Sequence, residues 1–174
     1  MLISELYNKI QEFTELAITS LTDDKVIFAN QSTARPLKPF VTIALSGFKN
    51  VGTPIVRELT ANGIEKITSS MLCTATFMCF SDTLHEAEDL LDELYSGFST
   101  ELQNRVFKGE VALQKVIKHV TALPVMQSEQ MESTAILELG IAFNKTIEDN
   151  VGIIEKVVMH DSINNKEFII NKEE

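Results

Sequence analysis

Tryptophan is absent from the 174 residues and cysteine occurs only twice, so a disulfide framework of the kind that staples small secreted domains is excluded. Four prolines and seven glycines are too few for a collagen-like or low-complexity chain. No run of lysine or arginine stands out, and no apolar stretch approaches the roughly 20 residues of a membrane span. Met1-Leu2-Ile3-Ser4-Glu5 lacks the basic start and apolar core of a signal peptide. A cytoplasmic site of synthesis, with no membrane association, is the expectation.

What is present is ordinary for a folded domain: 44% hydrophobic and 23% charged residues, enough at this length to build one core without staples. One domain over residues 1–174 is expected, with 161–174 a terminal hairpin and frayed tail. The formal charge of −10 disfavours a specific grip on nucleic-acid phosphates, because no basic stripe is segregated along the chain.

Apolar periodicity orders the elements. Ile3, Leu6, Tyr7, Ile10, Phe13, Ala17 and Leu21 recur at three- and four-residue steps and predict an amphipathic helix. Short strands are expected over 25–30 and 41–45, with Pro36 and Pro39 barring a central strand between them. The stretch from Gly47 to Gly63 reads as a long loop. A long strand over 67–80, apolar on both faces, should lie centrally in a sheet. Thr83-Leu84-His85-Glu86 has capping-box spacing and opens a second helix over about 83–103, with Leu84, Ala87, Leu91, Leu94 and Phe98 inward and an acidic face outward. The pattern after 111 is mixed, but β-branching favours a strand from about Lys115. Residues 134–143 alternate strictly, and 152–160 with 166–170 flank Ser162-Ile163-Asn164-Asn165 as a hairpin. The fold class is α+β: a largely antiparallel sheet with the two helices packed on it.

Chemistry-bearing motifs are not found. Cys73 and Cys79 share one face of a predicted strand but sit roughly 20 Å apart, too far for a disulfide or a shared metal ion. His85, His119 and His160 lack HExxH- or CxxC-type partners, and the acidic helix face reads as solvated surface. Gly47-Phe48-Lys49-Asn50-Val51-Gly52 is not a phosphate cradle, since no Gly-Lys-Ser/Thr follows. No catalytic, cofactor-binding or metal-binding residue is assigned.

The order of weaker features is more informative. Asn30-Gln31 precedes Pro36-Leu37-Lys38-Pro39 and a strand; Thr76-Phe77-Met78-Cys79-Phe80-Ser81-Asp82-Thr83-Leu84 carries a long strand into an amphipathic helix. Leu123-Pro124-Val125 then leads to the alternating strand from Glu132 to Phe143, and the pattern ends in Ile153 to Val158. This succession resembles the bacteriophage neck and tail terminator proteins across about residues 1–160. Two departures are that Cys79-Phe80-Ser81-Asp82 stands where that family often has Asp-Phe-x-Gly, and that no Trp follows the Glu of the last strand.

The resemblance implies a non-enzymatic virion protein of a phage or prophage, present in the host cytoplasm during assembly and then in the tail neck. It implies a homohexameric ring that contacts the tail tube protein and the head connector proteins, and through which DNA passes without specific binding. Within the Gly47–Gly63 segment, Phe48, Lys49, Val51, Ile55 and Arg57 form an amphipathic mixture expected to serve as an oligomer or partner interface. Two other readings stay open. One is a different head–tail adaptor, tail-completion or tail-tube role, which ring closure versus filament growth would separate. The other is a small cytoplasmic enzyme or ligand-binding domain, which would need a pocket with convergent polar groups.

Overall fold

The apolar stripe of the first helix does close against the rest of the chain. The computed structural model describes residues 1–31, 34–54, 56–60, 64–123, 125–127, 130–150, 156–161 and 166–171. Helix α1 (Ile3–Ala17) buries Leu6, Ile10, Phe13 and Ala17, and its start is capped by Glu5, whose carboxylate accepts the Leu2 N–H at 2.6 Å. It ends four residues before Leu21, at the poor helix formers Thr19 and Ser20.

The sheet follows: β1 (Val26–Phe28), β2 (Phe40–Asn50), β3 (Val56–Leu59), β4 (Ile64–Ser81), β5 (Val111–Ala122), β6 (Val125–Gln127) and β7 (Gln130–Asn150). The main path is β1-β2-β4-β7-β5, with β3 on β4 and β6 on β7; among the described residues only the β1–β2 pair is parallel. Two further strands, β8 (Lys156–Asp161) and β9 (Lys166–Asn171), pair with each other in antiparallel fashion. The α+β class and the central place of the long Thr/Met/Phe-rich strand are as expected. The tail beyond Asn171 lies outside the described residues.

Alternate side chains of β4 divide the sheet into two faces. Met71, Cys73, Ala75, Phe77 and Cys79 are buried under the helices, joined by Leu137, Leu139, Ile141 and Phe143 of β7. The intervening β4 residues are half-buried, since the opposite face carries no helix among the described residues.

The second helix is two helices. α2 (Leu84–Gly97) buries Ala87, Leu90, Leu91 and Leu94. Its N-cap Thr83 Oγ1 accepts the Glu86 N–H at 3.3 Å, but the Glu86 carboxylate takes the Ser81 hydroxyl, so the capping box is only half formed. The chain then leaves the helix at Phe98–Thr100, and Thr100 caps α3 (Glu101–Phe107) by accepting the Leu102 N–H at 3.3 Å. The expected helix over 83–103 is thereby corrected. The break lets Phe98 and Phe107 both pack on Phe13, at ring-centroid distances of 4.3 and 4.9 Å. Gly97 permits the close approach of α1 and α2: an added Cβ would sit 3.0 Å from the Ala17 Cβ and 3.3 Å from the Phe13 ring.

The long-loop expectation for Gly47–Gly63 is overturned in the described part. β2 continues to Asn50, and Val56–Leu59 pairs with Thr68–Glu65 of β4 as β3. Gly47 (φ +65°) lies where the β2–β4 register shifts between Ser46 and Lys49, and Gly52 (φ +73°) lies in the short interruption before β3. Gly47 is thus a bulge residue that bends β2 without ending it, whereas Gly52 falls between two strands that lie along the same side of β4. A similar effect explains the mixed pattern of β5, whose ladder with β7 shifts register three times.

Candidate assembly surfaces

Five residues were expected to share one contact surface, and the four of them that are described do not lie together on one face. Phe48 turns toward the core and meets Phe143 edge-on at 6.2 Å. Lys49 pairs opposite Leu72 and lines the other face, in an open groove of about 580 Å³ with Thr74, Gln114, Lys115 and Ile117. Val51 is 45% exposed, beyond the end of β2. Arg57 stands on β3 and forms an ion pair with Glu65 at 3.7 Å. Ile55 lies outside the described residues.

What the segment builds is an arm. β4 has 18 residues and spans about 60 Å, whereas α2 with 14 residues covers only about 21 Å. The last paired residues buried under the helices are Met71 and Phe143; beyond them Ile64–Ser70, Asn144–Asn150 and β3 continue as three strands. The arm is held by its ladder and by surface pairs: Thr68 and Thr146 hydroxyls at 3.2 Å, Ser70 Oγ donating to Asn144 Oδ1 at 3.1 Å, and Lys66 with Glu148 at 3.0 Å. Leu59 (66% exposed) and Ile147 (50% exposed) leave apolar surface in water.

A second feature sits at the opposite end of the uncovered face. Phe40 and Phe80 stack at 4.8 Å across β2 and β4, and the Arg35 guanidinium lies over both rings, 4.9 and 4.7 Å from their centroids. Arg35 also bonds Glu132 at 2.7 Å, with Lys38 at 3.2 Å from the same carboxylate. The hydrogen bond from Arg35, reinforced by that from Lys38, holds the Glu132 carboxyl below its ordinary range. The Pro-x-x-Pro segment is thus clasped onto the sheet, with a cis peptide bond at Lys38–Pro39 and Leu37 82% exposed at its crest.

Charge differs between the layers. The three helices carry Glu5, Glu12, Glu15, Glu86, Glu88, Asp89, Asp92, Glu93 and Glu101 against only Lys9 and Arg105. The uncovered sheet face mixes the two signs, with Lys49, Lys66, Lys115 and Lys118 alongside Glu132, Glu138 and Glu148. Burial pushes the Cys73 thiol up to about 11 and the Cys79 thiol up to about 12, with Glu86 adding to the latter, so both are poor nucleophiles at neutral pH. His85 is exposed and His119 packs edge-on against Tyr95 at 6.0 Å. Among the described residues no three metal-ligating side chains converge, and no helix is long and apolar enough to cross a membrane.

Against this background of edges, arms and clasps, the family model for the phage neck terminator protein matches residues 4–167. The chain belongs to the phage neck terminator family. The match spans the arm, the clasp and the helices alike, so it describes the whole architecture rather than one motif. No curated protein matches the chain. As a neck terminator it is a structural protein of the phage tail, whose work is contact with other tail and head proteins.

The order of elements along the sequence points to the family, and Pro36 and Pro39 mark the clasp segment between β1 and β2. The sequence does not reveal Glu132 as the partner of Arg35, 97 residues away. Nor does it reveal the arm, because a strand without a buried face has no clear alternation to read.

Proposed function

We propose that this neck terminator caps the head-proximal end of the tail tube as a closed homohexameric ring and offers its other side to the head connector. The observation that carries the reading is the family match over residues 4–167. A fold rich in projecting strand, acidic helices and open grooves supports contact surfaces better than a reaction centre. The formal charge of −10 suits a passage for DNA, since a carboxylate-rich lining neutralises no phosphates. The whole chain is proposed to act as one domain. The interface role first assigned to Phe48, Lys49, Val51, Ile55 and Arg57 passes to the arm as a unit, with Lys49, Val51 and Arg57 on its approaches.

The test is assembly. Purified protein is mixed with tail tubes and followed by negative-stain microscopy and light scattering; closed rings seated on one tube end, with tube growth arrested, are expected. Decoration along the whole tube, or filaments of the chain itself, would reassign it to a tube or adaptor role.

A further inference from the structure

Along the arm, the outer edge of β7 has no partner strand among the described residues. β5 covers β7 only as far as Val111 opposite Phe143, so that stretch begins at Asn144. The Asn144 carbonyl accepts from the Met1 ammonium at 3.2 Å, and Met1 also lies near Glu110, just before β5 begins. Asn144 therefore directs its backbone oxygen toward the uncovered edge. By the alternation of an antiparallel strand, Thr146 and Glu148 do the same, whereas Lys145 and Ile147 direct theirs toward β4.

The two long edges of the sheet are treated differently. β5 is shifted in register three times and carries Lys115 and Lys118, the devices that discourage strand addition. The β7 edge lacks the first device, since its 18-pair ladder with β4 runs without a shift from Ser81 opposite Ser133 to Ile64 opposite Asn150, and its one lysine along the arm, Lys145, is accompanied by Asp149 on the same face. Its ladder is regular, and along the arm no described strand covers its outer side.

Its sequence is also self-complementary. Reading Lys145-Thr146-Ile147-Glu148-Asp149 against a second copy in the antiparallel sense, centred on Ile147, places Lys145 opposite Asp149 twice and Ile147 opposite itself. Lys145, Ile147 and Asp149 lie on one face of the strand. Neither Lys145 nor Asp149 has an ion-pair partner among the described residues, and Ile147 is 50% exposed beside its cross-strand neighbour Ile67. The pairing would join Ile67, Ile147 and their two copies in one apolar row, flanked by two ion pairs. Thr146 and Glu148 would exchange backbone hydrogen bonds with their counterparts.

We infer that the distal edge of β7 is a two-fold docking site for a second copy of this chain, pairing antiparallel about Ile147 to give a continuous six-stranded arm sheet. An isologous contact of this kind is distinct from the head-to-tail contacts that close a ring, and it does not rest on the terminator reading.

The experiment is symmetric cross-linking of the full chain. In an antiparallel non-hydrogen-bonded pair the Cα atoms lie about 4.5 Å apart, within disulfide reach. Ile147→Cys should form a covalent dimer under mild oxidation, at least tenfold faster than the exposed control Val51→Cys; the native Cys73 and Cys79 are buried and do not compete. In multi-angle light scattering the wild-type chain should dimerise with rising concentration. Lys145→Glu should remain monomeric, and Lys145→Glu with Asp149→Lys should dimerise again. Circular dichroism verifies that each variant is folded. Equal oxidation rates at 147 and 51, or no recovery in the double variant, would overturn the proposal. Rings on tail tubes with no cross-link at 147 would overturn it while leaving the terminator function intact.

Discussion

The two halves of β4 share a backbone ladder but not a source of stability. From Met71 to Ser81 alternate residues are buried beneath the helical layer, where α2 packs on the strand, and the ladder is fastened by a continuous apolar core. From Ile64 to Ser70 the same strand keeps its partners but loses the layer beneath it. Hydrogen bonds define the arm's shape, while burial supplies most of the free energy in the other half, because a paired hydrogen bond is nearly matched by water whereas apolar burial is not. A sheet can therefore be extended well past its core when the extension is destined for another surface.

Breaking the core half should have the largest effect. Leu91→Ala, at a fully buried position on α2, is expected to cost about 2–5 kcal/mol in urea melts. The outward Asp92→Ala should change stability by less than about 0.5 kcal/mol. Equal losses at the two sites would mean that the buried face of α2 is wrongly assigned.

Next comes the seam between α1 and α2. Gly97→Ala puts a methyl group 3.0 Å from the Ala17 Cβ, so the helices must separate, at a cost of about 1–3 kcal/mol. Thermal unfolding would show it, and Ala17→Gly in the same chain should recover part of the loss.

The clasp should be worth less, and it should be sensitive to acid. Glu132 has its carboxyl lowered in the folded state, so the folded protein binds its proton less readily than the unfolded chain does. Its contribution is complete above the ordinary carboxylate value of 4.5 and is lost as pH falls through the lower folded value. Glu132→Gln should lower stability by about 1 kcal/mol at neutral pH, discounted for the partly exposed Arg35, and should flatten the acid limb of a stability-versus-pH curve. An unchanged acid limb would show that Arg35 and Lys38 do not favour the ionised carboxylate.

The smallest effect belongs to the arm. Leu59→Ala, at a residue 66% exposed, should leave the melting midpoint within the equivalent of about 0.5 kcal/mol. A loss comparable to that of Leu91→Ala would erase the contrast between the two halves.

Much of the core was legible from local pattern. Leu6, Ile10 and Phe13, and Leu91 and Leu94, recur at helical steps, and the strict alternation of 135–143 marks a sheet strand with one side buried; all are buried as that reasoning requires. Where the reading failed, local signals were ambiguous. Glycines such as Gly47 and Gly52 read equally as loop residues and as bulges, and only the pairing with β4 distinguishes them. Thr100 ends one helix and caps another because Phe98 and Phe107 must both reach Phe13, a requirement that local propensity does not contain. The proposed contact residues do not share one face for a related reason: consecutive strand residues alternate, and the bulge after Ser46 turns Phe48 toward the core and Lys49 away from it.

By itself, then, the sequence determined the α+β class, the two amphipathic stripes, the absence of a recognisable reaction motif and the succession of elements that marks a neck terminator. These are properties of composition and of periodicities spanning a few residues. The tertiary structure alone decided that Gly47–Asn50 and Val56–Leu59 extend a sheet, that Arg35 closes over Phe40 and Phe80 onto Glu132, and that among the described residues β7 has one covered stretch of edge and one uncovered stretch. Each of these depends on which distant strand lies alongside, and strand pairing is a long-range choice made by the whole buried surface at once.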